Sequence, residues 1–168
     1  MLQNPNVSFY WHQYQNRSIN HILIEALEEF TANHCAFCDF FPLGAQSRQT
    51  IEHFRPKSQY PKLAYVWHNL FLCCDVCQTA KQEKYDKRLL KPDVTGYEFH
   101  RYFIVNQTTG EIKPNPRASI EDQERAKITI EFYDLNRTVR KKARLLEWIK
   151  ADLQAYELDD LSYRFMFV

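Results

Sequence analysis

The feature that most constrains this chain is a pair of C-x-x-C units. Cys35 and Cys38 form the first unit, Cys74 and Cys77 form the second, and 35 residues separate the two. Four thiolates at this spacing are the ligand set of a closed tetrahedral zinc site, which is structural because no coordination position is left for water. The sequence therefore predicts a Zn²⁺ ion that ties the two segments together.

A redox-active C-x-x-C and a set of unrelated buried thiols are the alternatives to zinc. The redox interpretation lacks the strand and helix pattern expected around a thioredoxin-like motif. Cys73 is left over, because Cys74 alone preserves the spacing to Cys77. The chain starts without the basic and apolar regions of a signal peptide. We therefore expect a cytoplasmic protein, in which stable disulfides are disfavoured.

The length and composition suit one globular domain. The chain has 168 residues, of which 45% are hydrophobic and 26% are charged, and this balance excludes a disordered or low-complexity protein. No apolar run approaches the ~18 residues of a membrane-spanning helix. We expect a single domain over residues 1–168, with a helical part at 1–34, a core at 35–91 and a carboxyl-terminal part at 92–168.

The net charge of +1 conceals an uneven distribution. Residues 1–47 carry one basic and four acidic residues, whereas residues 48–91 carry nine basic and four acidic residues. Residues 92–168 are nearly balanced, with twelve basic and thirteen acidic residues. The basic excess in the middle segment is consistent with a negatively charged partner, and a solvated lysine-rich loop is the alternative.

Hydrophobic periodicity divides the rest of the chain into helices and short strands. Residues 22–30 and a segment from Ser119 to about Tyr133 are predicted helices, the second with a capping-box start. A further predicted helix has one face marked by Val139, Ala143, Leu146, Ile149 and Leu153. Residues 41–72 favour short strands and a loop, and residues 101–113 favour a hairpin.

Three polar motifs lie between and after the cysteine pairs: Ile51-Glu52-His53-Phe54-Arg55-Pro56-Lys57, Trp67-His68-Asn69-Leu70 and Cys77-Gln78-Thr79-Ala80-Lys81. Taken separately, each is more often structural. Taken in order, they resemble the HNH endonuclease family, and in particular its zinc-knuckle branch of Septu and retron-associated defence nucleases. A looser similarity continues at residues 110–114 and 135–136.

The resemblance implies an α+β fold with a ββα-metal core, a four-cysteine zinc site and flanking helices at both ends. It implies a metal-dependent endonuclease that hydrolyses DNA, with His53 as general base and Asn69 orienting it. Glu52 and Gln78 would hold a catalytic Mg²⁺ or Mn²⁺. Gln78 is a departure, because the family normally has His or Asn at this position. Either a neighbouring group such as Asp75 completes the ligand shell, or the protein is a weakened nuclease that depends on a partner for its geometry.

The resemblance also implies partners. The predicted nucleic-acid contacts are the basic residues of the middle segment, namely Arg55, Lys57, Lys81, Lys84, Lys87 and Arg88. An ABC-type ATPase is the expected protein partner, and the aromatic amino terminus or residues 163–168 would be its docking surface. The alternative for both ends is that they simply pack on the core. The alternative is a catalytically weakened zinc-binding module that binds nucleic acid or protein. A thiol oxidoreductase is disfavoured because it leaves Glu52, His53 and Asn69 unexplained.

Overall fold

The computed structural model describes residues 9–152 and 156–168, and this part of the chain has a mixed α/β architecture. The described residues form three separate antiparallel sheets of two strands each and five α-helices. The strands are β1 (Gln13–Tyr14), β2 (Arg17–Ser18), β3 (Gln49–His53), β4 (Leu70–Cys74), β5 (Phe103–Val105) and β6 (Ile112–Pro114). The helices are α1 (Ile19–Thr31), α2 (Asp75–Lys81), α3 (Phe99–Tyr102), α4 (Ile120–Phe132) and α5 (Thr138–Asp152).

The central element is the antiparallel pair β3–β4, which continues directly into α2. Glu52 lies opposite Phe71, and His53 lies opposite Leu70. Every residue of β4 is buried, so the strand forms part of the core. Two 3-10 turns, Pro61–Leu63 and Trp67–Asn69, shape the loop between the strands. The prediction of short strands and a loop over residues 41–72 is confirmed.

The predicted helices and the later hairpin are confirmed as well. Helix α4 begins after Ser119, whose hydroxyl accepts a hydrogen bond from the backbone N–H of Asp122 at 3.1 Å. This side-chain cap satisfies one of the free N–H groups of the first turn. The β5–β6 hairpin lies within the predicted residues 101–113 and is extended by Pro114, but Arg101 and Tyr102 belong to α3 and not to the first strand.

Helix α5 has its apolar face outside and its charged face inside. Val139, Leu146 and Ile149 are exposed by 60% or more. Ala143 is half-buried, and Leu153 lies outside the described residues. The buried residues of the helix are instead Arg140, Arg144 and Glu147. The periodicity thus predicts the helix but does not identify its buried face.

Arg144 explains part of this inversion, because it joins α5 to the turn before β6. Its Nε donates to the carbonyl of Gly110 at 2.5 Å, and its Nη2 donates to that of Leu135 at 2.9 Å. The side chain of Asn136 adds two hydrogen bonds to β6: its Oδ1 accepts from the N–H of Ile112, and its Nδ2 donates to the carbonyl of Ile112. Gly110 has φ +68°, and a Cβ there would lie 2.1 Å from the carbonyl oxygen of Lys141, so only glycine fits this approach.

The carboxyl-terminal segment packs on the domain. Tyr163 is buried, and the ring of Phe165 stacks on Phe99 with centroids 3.9 Å apart. Residues 163–168, which are a predicted docking surface, therefore make contacts within the domain through Tyr163 and Phe165. Among the described residues, no helix combines the length and apolarity needed to cross a membrane.

Candidate metal centre and active site

The two C-x-x-C units meet in one cluster. The sulfur atoms of Cys35, Cys38, Cys74 and Cys77 all lie within 4.8 Å of one another, and all four residues are buried. The Sγ atoms of Cys38 and Cys74 are 3.8 Å apart, which is far too long for a disulfide. Zn–S bonds of about 2.3 Å place tetrahedral sulfur ligands about 3.8 Å apart. The cluster therefore has the dimensions of a four-thiolate site and could hold a metal ion such as zinc.

Backbone groups fix the two units against each other. The N–H of Ala36 donates to the carbonyl of Leu72 at 2.9 Å, which docks the first unit on β4. The N–H of Cys74 points at the sulfur of Cys35 at 3.4 Å, and the N–H of Cys77 points at that of Cys74 at 3.3 Å. These donors stabilise negative charge on sulfur, as a metal–thiolate cluster requires.

Arg140 of α5 adds a positive charge to the cluster. Its Nη2 lies 3.1 Å from the sulfur of Cys77 and 3.6 Å from that of Cys74, and its Nη1 donates to the carbonyl of Tyr133 at 2.8 Å. Burial alone would lower the pKa of Arg140, but the thiolate charges, led by that of Cys38, raise it above its ordinary value. The buried guanidinium thus offsets part of the charge of four thiolates, and no sequence motif identified it.

The fifth cysteine stands beside the cluster. The thiol of Cys73 donates to the carbonyl of Cys74 at 3.3 Å, and Cys73 is fully buried. Burial raises the pKa of the Cys73 thiol well above its ordinary value, which favours a neutral thiol. Cys73 therefore provides a natural comparison for the four clustered cysteines.

Glu52 and Lys81 form a buried ion pair. Nζ of Lys81 donates to Oε1 of Glu52 at 2.6 Å and to the carbonyl of His53 at 3.0 Å. Burial raises the pKa of Glu52 to about 7, although the charge of Lys81 opposes the shift. Lys81 is fully buried, so it does not lie on the surface with the other predicted nucleic-acid contacts. It instead holds the end of β3 against the end of α2.

His53 is held in one tautomer. Its Nε2 lies 3.0 Å from the carbonyl oxygen of Ala64, which can only accept, so Nε2 carries the proton and Nδ1 keeps a lone pair. Burial lowers the pKa of His53 below its ordinary value, and the charges of Lys57 and Lys81 act in the same direction. A lowered pKa means a neutral imidazole at neutral pH, which is the form that can accept a proton.

Asn69 fixes the backbone that follows His53. Its Oδ1 accepts from the N–H of Arg55 at 2.8 Å, and its Nδ2 donates to the carbonyls of Arg55 at 3.0 Å and Leu63 at 3.1 Å. The backbone carbonyl of Asn69 also accepts from the N–H of Phe54 at 3.0 Å. The side chain therefore positions the loop that follows His53, and its hydrogen bonds go to backbone groups rather than to the imidazole.

Glu52, His53 and Gln78 line one cavity of about 270 Å³. The amide of Gln78 donates through Nε2 to the carbonyl of Ile51 at 3.0 Å, which fixes its orientation. Glu83 also lines this cavity, although no motif marked it. Asp75, which the sequence offered as a substitute ligand, instead accepts a hydrogen bond from Ser47 at 2.7 Å and lines a different cavity.

The remaining predicted nucleic-acid contacts differ in their exposure and in the side chains beside them. The guanidinium of Arg55 lies 5.7 Å from the rings of both Tyr60 and Tyr85. Lys84 and Lys87 are exposed, whereas Arg88 pairs with Asp86 at 2.8 Å. Lys57 is half-buried and lines the same cavity as His53.

Comparison with known proteins finds a partial similarity to a Septu protein. A stretch of 56 residues, a third of this chain, is 36% identical to Septu protein PtuB from Bacillus thuringiensis. The stretch covers 22% of the length of that protein. No family model matches the chain. The similarity is distant.

Proposed function

We propose that this chain is a metal-dependent endonuclease of the HNH type that hydrolyses DNA phosphodiester bonds. The observation that carries the proposal is the convergence of Glu52, His53 and Gln78 on one cavity, at the junction of a β-hairpin and a helix. We propose that this hairpin and helix form the ββα-metal core that the sequence resemblance implies. The similarity to Septu protein PtuB also supports the proposal.

The proposed chemistry divides between the imidazole and a hard cation. His53 takes a proton from water through Nδ1, because Nε2 is occupied by the carbonyl of Ala64. Glu52 offers Oε2, since Lys81 occupies Oε1, and Gln78 offers its amide oxygen. These oxygens suit Mg²⁺ or Mn²⁺, which stabilises negative charge on the phosphate when bound. Asn69 keeps the His53 backbone in place.

The basic side chains around this cavity would hold the DNA backbone. We propose this role for Arg55, Lys57, Lys84, Lys87 and Arg88. Lys81 has a different role in the proposal, because it is buried against Glu52 and neutralises that carboxylate. The direct test of the function is cleavage of plasmid and single-stranded DNA by purified protein with added Mg²⁺ or Mn²⁺. No cleavage of either substrate with either ion would contradict the proposal.

A catalytically silent zinc-binding module is the second candidate. It is favoured by the occupied hydrogen bonds of Glu52 and Gln78 and by the 6% exposure of His53. Divalent-metal-dependent cleavage that is lost on replacement of His53 distinguishes the two candidates.

Gln78 provides a second test of the proposed cation site. Gln78→Ala is expected to lower the affinity for Mn²⁺ and the cleavage rate about 10- to 100-fold, because an oxygen ligand is removed. Gln78→Asn is expected to bind Mn²⁺ more tightly or cleave faster than the wild type, since the HNH family that the motifs resemble normally has His or Asn at this position. Titration of the cleavage rate with Mn²⁺ measures both variants.

Thr79→Ala is the matched control for Gln78, because Thr79 is exposed on the same helix. Its cleavage rate should equal that of the wild type. Equal rates for wild type, Gln78→Ala and Gln78→Asn would remove Gln78 from the proposed ligand set.

We propose that the four-cysteine cluster holds Zn²⁺ and that Arg140 supports it. Arg140→Met keeps the unbranched stem of the side chain but removes the charge and the donors to Cys74 and Cys77. The dissociation constant for zinc is expected to rise about 10- to 100-fold, as for other groups that contact metal ligands. Competition with a chromophoric zinc chelator measures this constant.

Lys142→Met controls for the loss of a positive charge on α5, since Lys142 is exposed on the same helix. It should leave zinc affinity unchanged. An unchanged zinc affinity in Arg140→Met would limit the role of Arg140 to its bond with the Tyr133 carbonyl.

We also propose that the protein acts in a defence system together with an ABC-type ATPase. The proposal follows from the similarity to Septu protein PtuB and from the resemblance in the sequence motifs. Phage plating efficiency on cells that carry the gene with and without a neighbouring ATPase gene tests it. Equal protection in the presence and absence of the ATPase gene would contradict the partnership.

A further inference from the structure

A cluster of aromatic rings covers one side of the proposed active site. We define the aromatic cluster as Phe9, Trp11, His12 and Tyr65. Phe9 and Trp11 meet edge to face at 5.0 Å between ring centroids, and each lies within 5.7 Å of Tyr65. His12 stacks on Tyr65 at 5.1 Å and 21°. Residues 9–12 and the loop before β4 therefore form one ring-lined surface.

The aromatic cluster contacts the proposed general base directly. The indole of Trp11 stacks on the His53 imidazole at 5.7 Å and 21°, and Phe9 meets the same ring edge-on at 5.7 Å. These contacts help to explain why His53 is only 6% exposed. A polynucleotide that brings a phosphate to His53 must therefore place its neighbouring bases beside these rings.

Hydrogen bonds hold the amino-terminal segment in this position. The hydroxyl of Tyr65 donates to the carbonyl of Tyr10 at 2.8 Å, and the N–H of Ile19 donates to the carbonyl of His12 at 2.8 Å. The rings are nevertheless accessible in part. His12 and Tyr65 are exposed, while Phe9 and Trp11 are half-buried.

Positive charge accompanies the rings. Nζ of Lys57 lies 5.0 Å from the centre of the Phe9 ring, and Lys57 also lines the cavity that contains Glu52 and His53. Lys62 is exposed in the turn that precedes Tyr65. Flat rings beside lysine side chains match the two needs of an unpaired polynucleotide, which are stacking for its bases and cations for its phosphates.

We propose that the aromatic cluster is a base-stacking subsite and that the substrate of the neighbouring site is single-stranded nucleic acid. The bases of a duplex are already stacked on each other, whereas the faces of unpaired bases are free to contact Trp11 and Tyr65. Stacking of this kind tolerates any sequence because every base has a flat face. This inference rests on the proposed nuclease function, and it specifies the substrate class of the same site.

The test is the affinity for a fluorescein-labelled 15-nucleotide oligo-dT, measured by anisotropy without added Mg²⁺ or Mn²⁺, beside a duplex of equal length. Trp11→Ala and Tyr65→Ala are each expected to weaken oligo-dT binding about 10-fold and to change duplex binding less than about 2-fold. Tyr65→Phe should restore most of the affinity that Tyr65→Ala loses, because the ring remains. Tyr14→Ala is the control, since Tyr14 is 59% exposed on β1 and lies outside the aromatic cluster.

Each outcome decides the inference. Unchanged or tighter oligo-dT binding by folded Trp11→Ala and Tyr65→Ala proteins would overturn it and leave the rings as a cover over His53. An equal loss of duplex and oligo-dT binding would also overturn it. Zinc content and thermal unfolding establish that the variants are folded.

The same proteins separate this inference from the proposed function. Ring-dependent oligo-dT binding without any metal-dependent cleavage would support the subsite and refute the nuclease. Cleavage with ring-independent oligo-dT binding would refute the subsite and support the nuclease.

Discussion

Replacement of Cys77 by serine is expected to abolish zinc binding and cooperative folding. The wild-type protein should contain about one zinc ion per chain as purified. Structural zinc sites contribute an apparent ~10–16 kcal/mol in small zinc-binding peptides, which is as large as the ~5–15 kcal/mol stability of a whole domain. The sulfur of Cys77 is one of the four that lie within 4.8 Å of one another, and it also accepts from Arg140 at 3.1 Å. Metal analysis and thermal unfolding measure the effect.

Cys73→Ser is the matched control for this prediction. Cys73 is as deeply buried as Cys77 and adjoins Cys74 in sequence, but it is not one of the four clustered cysteines. Its variant should keep one zinc per chain and lose only about 1–3 kcal/mol of unfolding free energy, the usual cost of a poorly satisfied buried hydroxyl. Wild-type protein that is fully folded without metal would contradict the structural role of zinc.

Replacement of His53 by alanine is expected to lower metal-dependent DNA cleavage by at least ~10²-fold. The loss follows from the removal of the imidazole whose Nδ1 accepts the proton. Zinc content and DNA affinity should change little, because His53 is neutral and is not a member of the cysteine cluster. Single-turnover cleavage of labelled DNA in saturating Mn²⁺ measures the rate.

Two further variants separate catalysis from packing at this position. His53→Gln keeps a donor for the carbonyl of Ala64 but cannot take the proton, so it should be as inactive as His53→Ala. His68→Ala is the control, since the side chain of His68 is 80% exposed and its Nδ1 lies 3.6 Å from a carboxylate oxygen of Asp93. Wild-type cleavage by a folded His53→Gln protein would remove His53 from the mechanism.

The cysteine cluster was predictable because its ligands are defined by local spacing. A C-x-x-C unit brings two sulfur atoms together within one turn of chain. Only the contact between the two units depends on the tertiary structure. Helix α4 was predictable for a similar reason, since the Ser119 cap and its partner Asp122 are three residues apart. Signals of this kind depend on residues that are close in the sequence, so they can be read without knowing the tertiary structure.

The contacts of Arg140 and Lys81 could not be predicted in the same way. The sulfur of Cys77 is 63 residues from Arg140, and the carboxylate of Glu52 is 29 residues from Lys81. A basic residue has the same sequence signature whether it is solvated or paired inside the protein. The sequence therefore groups Lys81 with the predicted nucleic-acid contacts on the surface. In the same way, the apolar residues of α5 do not indicate that the buried face of this helix is charged.

The sequence by itself determined helices α1, α4 and α5, strands β3 to β6, the four clustered cysteines and the motifs that suggest a nuclease, but not the β1–β2 hairpin or α3. The tertiary structure alone decided which charges are buried, that Glu83 rather than Asp75 lines the cavity of His53, and that aromatic rings from residues 9–12 cover the imidazole. The physical reason is that spacing and periodicity record local geometry. The pairing of a buried charge, or the stacking of a ring, depends on partners that only the folded chain brings together.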